Sequence, residues 1–311
     1  MQNFVDARKE ILFHYSPYSF LPGLNRELLL KHSVLDVLAT SSSSPSTTIV
    51  EIIVDGHQHL FFMKYLEWDS RYFNLETYKL LFVLFDHQDY SVLRKAIASF
   101  IDKFRSLKGE VYCFSEIPSE DIFLIQALNE SGFKLVETRL TYYVDLRSYS
   151  YHSRYGVREA TLEDLPNLKK TAGEMRNEYD RFHAETLIDR ARADQFLETY
   201  VEQSVKGFAD YTMVPGEDGV PPDAFLTAKY LKDEWEAIGE KISKMVLSAV
   251  SSTTCKGWYL KLISEMAYHL RGIGANFAFM HTATPTRAVI HTYEKLGCKY
   301  GKSNHVITRL F

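Results

Sequence analysis

The most constraining feature of this chain is an internal echo. Between Thr77 and Leu146 the apolar pattern reads strand, helix, strand, helix, strand: YKLLFVLF, SVLRKAIASFIDKFRSL, EVYCFSE, EDIFLIQALNES and FKLVETRLTYYVDL. The same order returns near the C-terminus as ISKMVLSAV, a helix from Gly257 to about Arg271, ANFAFMH, TRAVIHTYEKL and CKYGKSNHVITRL. Gly109 and Gly132 recur as Gly274 and Gly297, both displaced by 165 positions. In each copy one glycine precedes the middle strand and the other closes the second helix, where a left-handed residue costs glycine least. Two related halves of an α/β chain follow from this, joined near Ser148 to Tyr155, where YSYHSRYG breaks the pattern before VREATLEDLPNLKK opens a new strand and helix.

Before the first copy, an apolar stretch around Leu21 to Leu38 predicts a helix, and SSSSPSTT from Ser41 predicts a loop. TIVEIIV and HLFFMKYL then form a hairpin turning at Asp55 and Gly56. The expected division is 1–65 as an N-terminal extension packing on the first domain, 66–150 as a first domain and 151–311 as a second. Ser91 is the expected N-cap of the first long helix, and KDEWEAIGEK an exposed connection between two strands.

Composition narrows the classes of function. With 46% hydrophobic and 24% charged residues the 311-residue chain has the makings of a sizeable core. A net charge of -4 offers no general attraction to nucleic acid or an anionic membrane. Three cysteines, Cys113, Cys255 and Cys298, lie far apart without CxxC spacing, which indicates neither a disulfide framework nor a zinc ribbon. The apolar run Leu80 to Phe85 is too short to span a bilayer and Met1 to Tyr15 lacks a signal-peptide core, so the expected location is the cytoplasm. His57 and His59 share a strand face, but with no further ligand in reach by spacing they predict no metal site. Nothing in the sequence decides between a monomer and a homodimer.

The halves differ where chemistry would sit. After its first strand the second copy runs SSTTCKGWYLKLI, small and hydroxylated residues with a glycine opening a helix, whereas the first copy has FDHQDYSVL, acidic and without glycine. Only the former suits an anion, because N–H groups at a helix start carry partial positive charge and bulky or anionic side chains spoil the approach. Ser251, Ser252 and Thr253 add hydroxyl donors there, and Cys255 reads as a small filler, with no partner base indicated. Tyr293 in the second copy corresponds to Leu128 in the first, which has no proton to give.

These residues resemble the GNAT superfamily of acyl-CoA-dependent N-acetyltransferases. That family has a phosphate loop of pattern Q/R-x-x-G-x-G/A, for which the chain has TCKGWY, Thr254 to Tyr259; Gly257 is kept, Thr254 stands for Gln or Arg, and Tyr259 for the last Gly or Ala. The family's helix N-x-x-A-x-x-x-Y-x-K-x-G-F is matched by TRAVIHTYEKLGC, which keeps Tyr293, Lys295 and Gly297, with Thr286 for Asn and Cys298 for Phe. The segments LEWDSRYF, ALNESGFKLVE and DRFHAETLIDRARADQFLETYVEQSVKG are further similar to the TDP-fucosamine acetyltransferases.

The resemblance implies tandem GNAT-like domains, the first degenerate and the second catalytic, with a mixed, mostly antiparallel sheet whose central strands splay. It implies acetyl-CoA as co-substrate, no metal, and as acceptor a nucleotide-linked amino-dideoxy sugar, alternatively another small amine or a peptide. A non-catalytic acyl-CoA-binding protein is the competing reading, motivated by the altered loop. The implied roles place the pyrophosphate on the amides of Thr254, Cys255, Lys256, Gly257, Trp258 and Tyr259, and the thioester oxygen against a backbone N–H near Leu247 or Ala249. Thr286 meets the pantetheine, Tyr293 protonates the departing sulfur, and Arg181, Phe182 and His183 belong to a helical flap over the acceptor, with Arg181 gripping a diphosphate and His183 a candidate base.

Overall fold

The computed structural model describes residues 2–174 and 177–311. Its two compact units do not divide the chain at one point: the first is residues 1–139 with 302–311, the second 140–301. Each unit therefore takes a strand from the other half of the sequence.

The first unit opens with helices α1 (Gln2–Leu12), α2 (Arg26–Leu30) and α3 (Asp36–Ser43). The helical stretch continues to Ser43, so the loop expected from Ser41 is shortened, because the Ser42 hydroxyl caps the Leu38 carbonyl within the helix. Strands β1 (Thr47–Val54) and β2 (His57–Tyr65) form the expected hairpin, and both turn residues, Asp55 and Gly56, have positive φ, as a two-residue I′ turn requires. Then follow α4 (Glu67–Phe73), β3 (Thr77–Leu84), α5 (Tyr90–Lys108), β4 (Tyr112–Pro118), α6 (Ile122–Glu130) and β5 (Lys134–Asp145), whose first residues lie in this unit. Asp89, not Ser91, is the N-cap of α5: its carboxylate accepts from the Val92 amide, because α5 begins two residues earlier than the apolar spacing alone suggests.

The second unit adds β6 (Val157–Glu159), α7 (Leu165–Glu174), α8 (Arg181–Ala184), α9 (Arg190–Gln203), β7 (Tyr211–Pro215), β8 (Ala224–Lys229), α10 (Lys232–Ile238), β9 (Ile242–Val250), α11 (Trp258–Gly272), β10 (Phe277–Ala283) and α12 (Arg287–Lys295). The stretch expected as an open connection is thus the short helix α10, fixed by the Trp235 indole donating to the Ile242 carbonyl. Strand β11 (Lys299–Leu310) returns to the first unit, where it pairs antiparallel with β4.

Strand order is β1-β2-β3-β4-β11 in the first unit and β6-β7-β8-β9-β10-β5 in the second. In the second unit helices cover both faces. Tyr293 and Leu262 join Met245 and Met280 in one buried cluster, while Leu168 and Val201 join Phe225 and Ala249 in another. Alternate strand residues feed opposite layers, as the pleat dictates. Most neighbouring pairs are antiparallel; β3 with β4 and β9 with β10 are parallel. Among the described residues no helix is long and apolar enough to cross a membrane.

Candidate active site

The parallel pairs in the middle of each unit stop early. Strand β10 pairs β9 only over Phe277–Phe279 against Ile242–Lys244, and the rest of both strands run unpaired with one another. The strands therefore diverge beyond Lys244 and Phe279. A bulge sharpens this, since Val246 and Leu247 of β9 both face Thr227 of β8 between the pairs Leu226 with Ser248 and Ala228 with Met245.

The loop after β9 is built on Ser251. Its hydroxyl accepts from the amides of Thr253 and Thr254, and its carbonyl from Cys255. Trp258 N–H donates to the Cys255 carbonyl, closing the turn into α11. Gly257 stands at the N-cap with φ 87, and a Cβ placed there would meet nothing within 4 Å. The left-handed backbone explains the glycine, and the open space beside it explains how a ligand can approach the amides. Among the described residues the amides of Tyr259 and Leu260 find no backbone partner, which leaves them directed out of the helix start.

Charge near the loop is mixed. The Thr254 hydroxyl donates to Asp223 at 2.7 Å, and Lys261, which lies 4.2 Å over the Trp258 ring, is also 3.3 Å from Glu217. Lys256 is exposed. Cys255 is buried, its thiol donating to the Pro221 carbonyl, and burial raises its pKa, so it is filler as expected.

Tyr293 lies on the face of α12 turned to the sheet and is 3% exposed. Tyr142 packs on one side of its ring at 5.5 Å, and the Tyr259 hydroxyl donates to its oxygen at 3.0 Å. Burial, with the neighbouring Tyr259, raises the Tyr293 pKa well above the usual value for a phenol. Tyr259 is half-buried, and burial pushes its hydroxyl up to about 12. Both phenols are protonated at neutral pH.

Other expected site residues have structural partners. Leu247 N–H donates to the Thr227 hydroxyl at 2.9 Å, which removes that amide as a free donor because the bulge turns it onto β8. Ala249 is buried against Phe225. Thr286 is the N-cap of α12, and its hydroxyl donates to the Ala283 carbonyl at 2.6 Å and also meets Thr282. His183 has a fully buried side chain clamped between Asp180 and Asp194, at 2.9 and 3.1 Å. Burial pulls its pKa down, but the two carboxylates outweigh burial and the net shift is upward. A general base must be unprotonated to accept a proton, and the two carboxylates favour the charged ring, so the clamp works against that role. Arg181 is buried with its guanidinium 4.3 Å over the Phe182 ring, and Phe182 packs on Phe196 at 4.5 Å.

His281, which sequence reasoning missed, lies on β10 just past the last pairing with β9, its Nδ1 3.0 Å from the Thr141 hydroxyl. Its place at the divergence depends on strand register, which spacing alone does not supply.

The first unit has the same early parting, with β3 and β4 paired only over Thr77–Lys79 and Tyr112–Phe114. There the space is taken. The Arg8 guanidinium, from α1, donates to the Val83 carbonyl and to the Asp121 carboxylate, and Tyr15 donates to the same carboxylate at 2.7 Å. Among the described residues no group of three or more His, Cys, Asp or Glu is placed to hold a metal ion.

No protein-family model and no curated relative matches the sequence. Solved structures do match the fold. A GCN5-related N-acetyltransferase from Sphaerobacter thermophilus is similar with TM-score 0.53 at 11% identity, over 99% of this chain and 93% of that one. A GNAT-family acetyltransferase from Colwellia psychrerythraea is similar with TM-score 0.50 at 13% identity, over 90% and 97%. A structure described as a glucosamine N-acetyltransferase region within a fungal multi-domain β-N-acetylglucosaminidase is similar with TM-score 0.57 at 11% identity, over 97% of this chain and 37% of that one. At such identities the likeness is one of fold, and the fold of this chain is that of the GCN5-related N-acetyltransferases.

Proposed function

We propose that the chain is an acetyl-CoA-dependent N-acetyltransferase whose second unit is catalytic, acting in the cytoplasm on the amine of a nucleotide-linked amino-dideoxy sugar. The observation that carries the activity is the parting of β9 and β10 in the unit that also has the left-handed Gly257, helix-start amides without backbone partners, and a buried phenol on α12. Backbone N–H groups of Lys256, Gly257, Tyr259 and Leu260 would take the pyrophosphate, which needs close approach more than side-chain charge. The amine attacks the thioester carbon, the C–S bond breaks, and Tyr293, protonated at neutral pH, supplies the proton to the sulfur. The amine in turn loses one proton to water.

The sugar acceptor rests on the sequence segments similar to the TDP-fucosamine acetyltransferases; Arg181 and Phe182 on the short helix α8 are the side chains proposed to border it. Thiol release from acetyl-CoA, measured across nucleotide-linked amino-dideoxy sugars, free amino sugars, small amines and peptides, tests both levels. Turnover concentrated on the first group supports the full reading, and turnover on small amines or peptides alone removes the sugar. Tight binding without thiol release on any amine removes the enzyme and leaves an acyl-CoA-binding protein.

A further inference from the structure

The position at which the phosphate loop departs most from its family pattern is the one that touches Tyr293. Where that pattern has Gly or Ala, this chain has Tyr259, the second residue of α11, and its hydroxyl lies 3.0 Å from that of Tyr293 with ring centroids 6.3 Å apart. Ser248 of β9 also acts on the Tyr259 hydroxyl, opposing the upward effect of burial on its pKa. Two hydroxyls, from α11 and α12, thus form one pair: Tyr259 and Tyr293. Ser248 stands two residues before the end of β9, past the last residue paired with β10. Trp258, next to Tyr259, is buried in the core below, which leaves the phenol rather than the indole on the hydroxyl side.

Resting on the acyl-transfer reading, we infer that Tyr259 is a positioning residue for Tyr293, which holds the acid's oxygen and returns its proton. The groups facing Tyr293 are Tyr259 of α11, Tyr142 of β5, which donates instead to Glu294 at 3.3 Å, and the buried thiol Cys298. Tyr259 alone among them is hydrogen-bonded to the Tyr293 hydroxyl. A phenol that has released its proton inside a buried site needs a donor at once, and a hydroxyl already aimed at the oxygen provides it without reorganisation. When the C–S bond breaks, the sulfur takes the Tyr293 proton, Tyr293 takes that of Tyr259, and Tyr259 recovers one from water, which receives the proton the amine gives up. Hydroxyl hydrogens rotate, so the pair resets in the reverse sense without moving a heavy atom. The altered loop is then an exchange: a small residue at the phosphates is replaced by a second phenol for the acid.

Tyr259→Phe keeps the backbone amide and the ring, and so separates this role from phosphate binding. Acetyl-CoA affinity is expected to stay within about twofold, kcat to fall roughly tenfold or more, and the alkaline limb of the kcat profile to move, which a packing role would not do. Tyr259→Phe added to Tyr293→Phe is expected to cost nothing further, since both remove one device. An acceptor-independent reading is the affinity of CoA relative to desulfo-CoA between pH 7 and pH 10: the wild type favours the sulfur-bearing ligand, and both single variants lose that preference. A Tyr259→Phe protein with the wild-type preference and pH profile overturns the inference alone. A wild type that binds neither CoA nor acetyl-CoA overturns the acyl-transfer reading and takes the inference with it.

Discussion

At the residue scale, the account turns on groups whose surroundings fix their chemistry. Gly257 is held at φ 87, where any side chain carrries a backbone cost of about 1–2 kcal/mol. Gly257→Glu is expected to weaken acetyl-CoA binding by more than that strain explains, because a carboxylate would face the incoming phosphates; calorimetry on Gly257→Ala and Gly257→Glu separates the two effects, and equal affinities for all three proteins would place the pyrophosphate elsewhere. In the first unit His87 Nδ1 accepts from the Asp89 amide, so neutral His87 carries its proton on Nε2 and donates to His59 Nε2 at 2.7 Å. Neither ring can take a second proton without losing a bond. Burial and the neighbouring His87 lower the His59 pKa to about 4, below the ordinary 6.5. A depressed pKa stabilises the fold fully above about pH 6.5, and that contribution is lost as pH falls toward about 4. Urea midpoints measured across this window should decline on acidification, and the decline should flatten in His59→Asn; an unchanged slope would show that the pair does not titrate as described.

At the scale of elements, one charged side chain shows what the N-terminal helices do. Arg8 and Asp121 are 6% and 2% exposed, so removing either partner strands a buried charge. Arg8→Ala is expected to cost about 3–5 kcal/mol in urea unfolding, whereas joint replacement of Arg8 and Asp121 by apolar residues should recover most of it. A loss under about 1 kcal/mol, the range of exposed pairs, would mean α1 does not fill the β3–β4 parting. How much of this was legible in the sequence also divides by element. Strands β1, β2, β9 and α11 follow apolar period and turn chemistry closely, because local rules decide them. Gly257 is legible because a glycine after β9 opens a helix, and Tyr293 because TRAVIHTYEKLG resembles the family's helix. By contrast α1, the bulge at Val246–Leu247, the Thr227 hydroxyl on the Leu247 amide, and the carboxylate clamp on His183 depend on partners distant in sequence. The return of β11 to the first unit belongs to the same class, since period identifies a strand and not its neighbour.

At the scale of the whole molecule, the proposed reading gives the two units different work. Both have a parallel strand pair that parts early, and among the described residues the second has beside its parting a glycine-headed helix and Tyr293. The first holds Arg8 and Tyr15 in that place, with Leu128 where the second has Tyr293. One acetyl-CoA per chain is therefore expected in calorimetric titration, and two would show that the first unit also binds. Amide hydrogen exchange with and without acetyl-CoA tests the central claim most directly. Protection should gather at Cys255 to Leu260 and along the free end of β9, leaving Asp86 to Val92 unchanged; protection confined to the first unit, or none at the head of α11, would contradict the account.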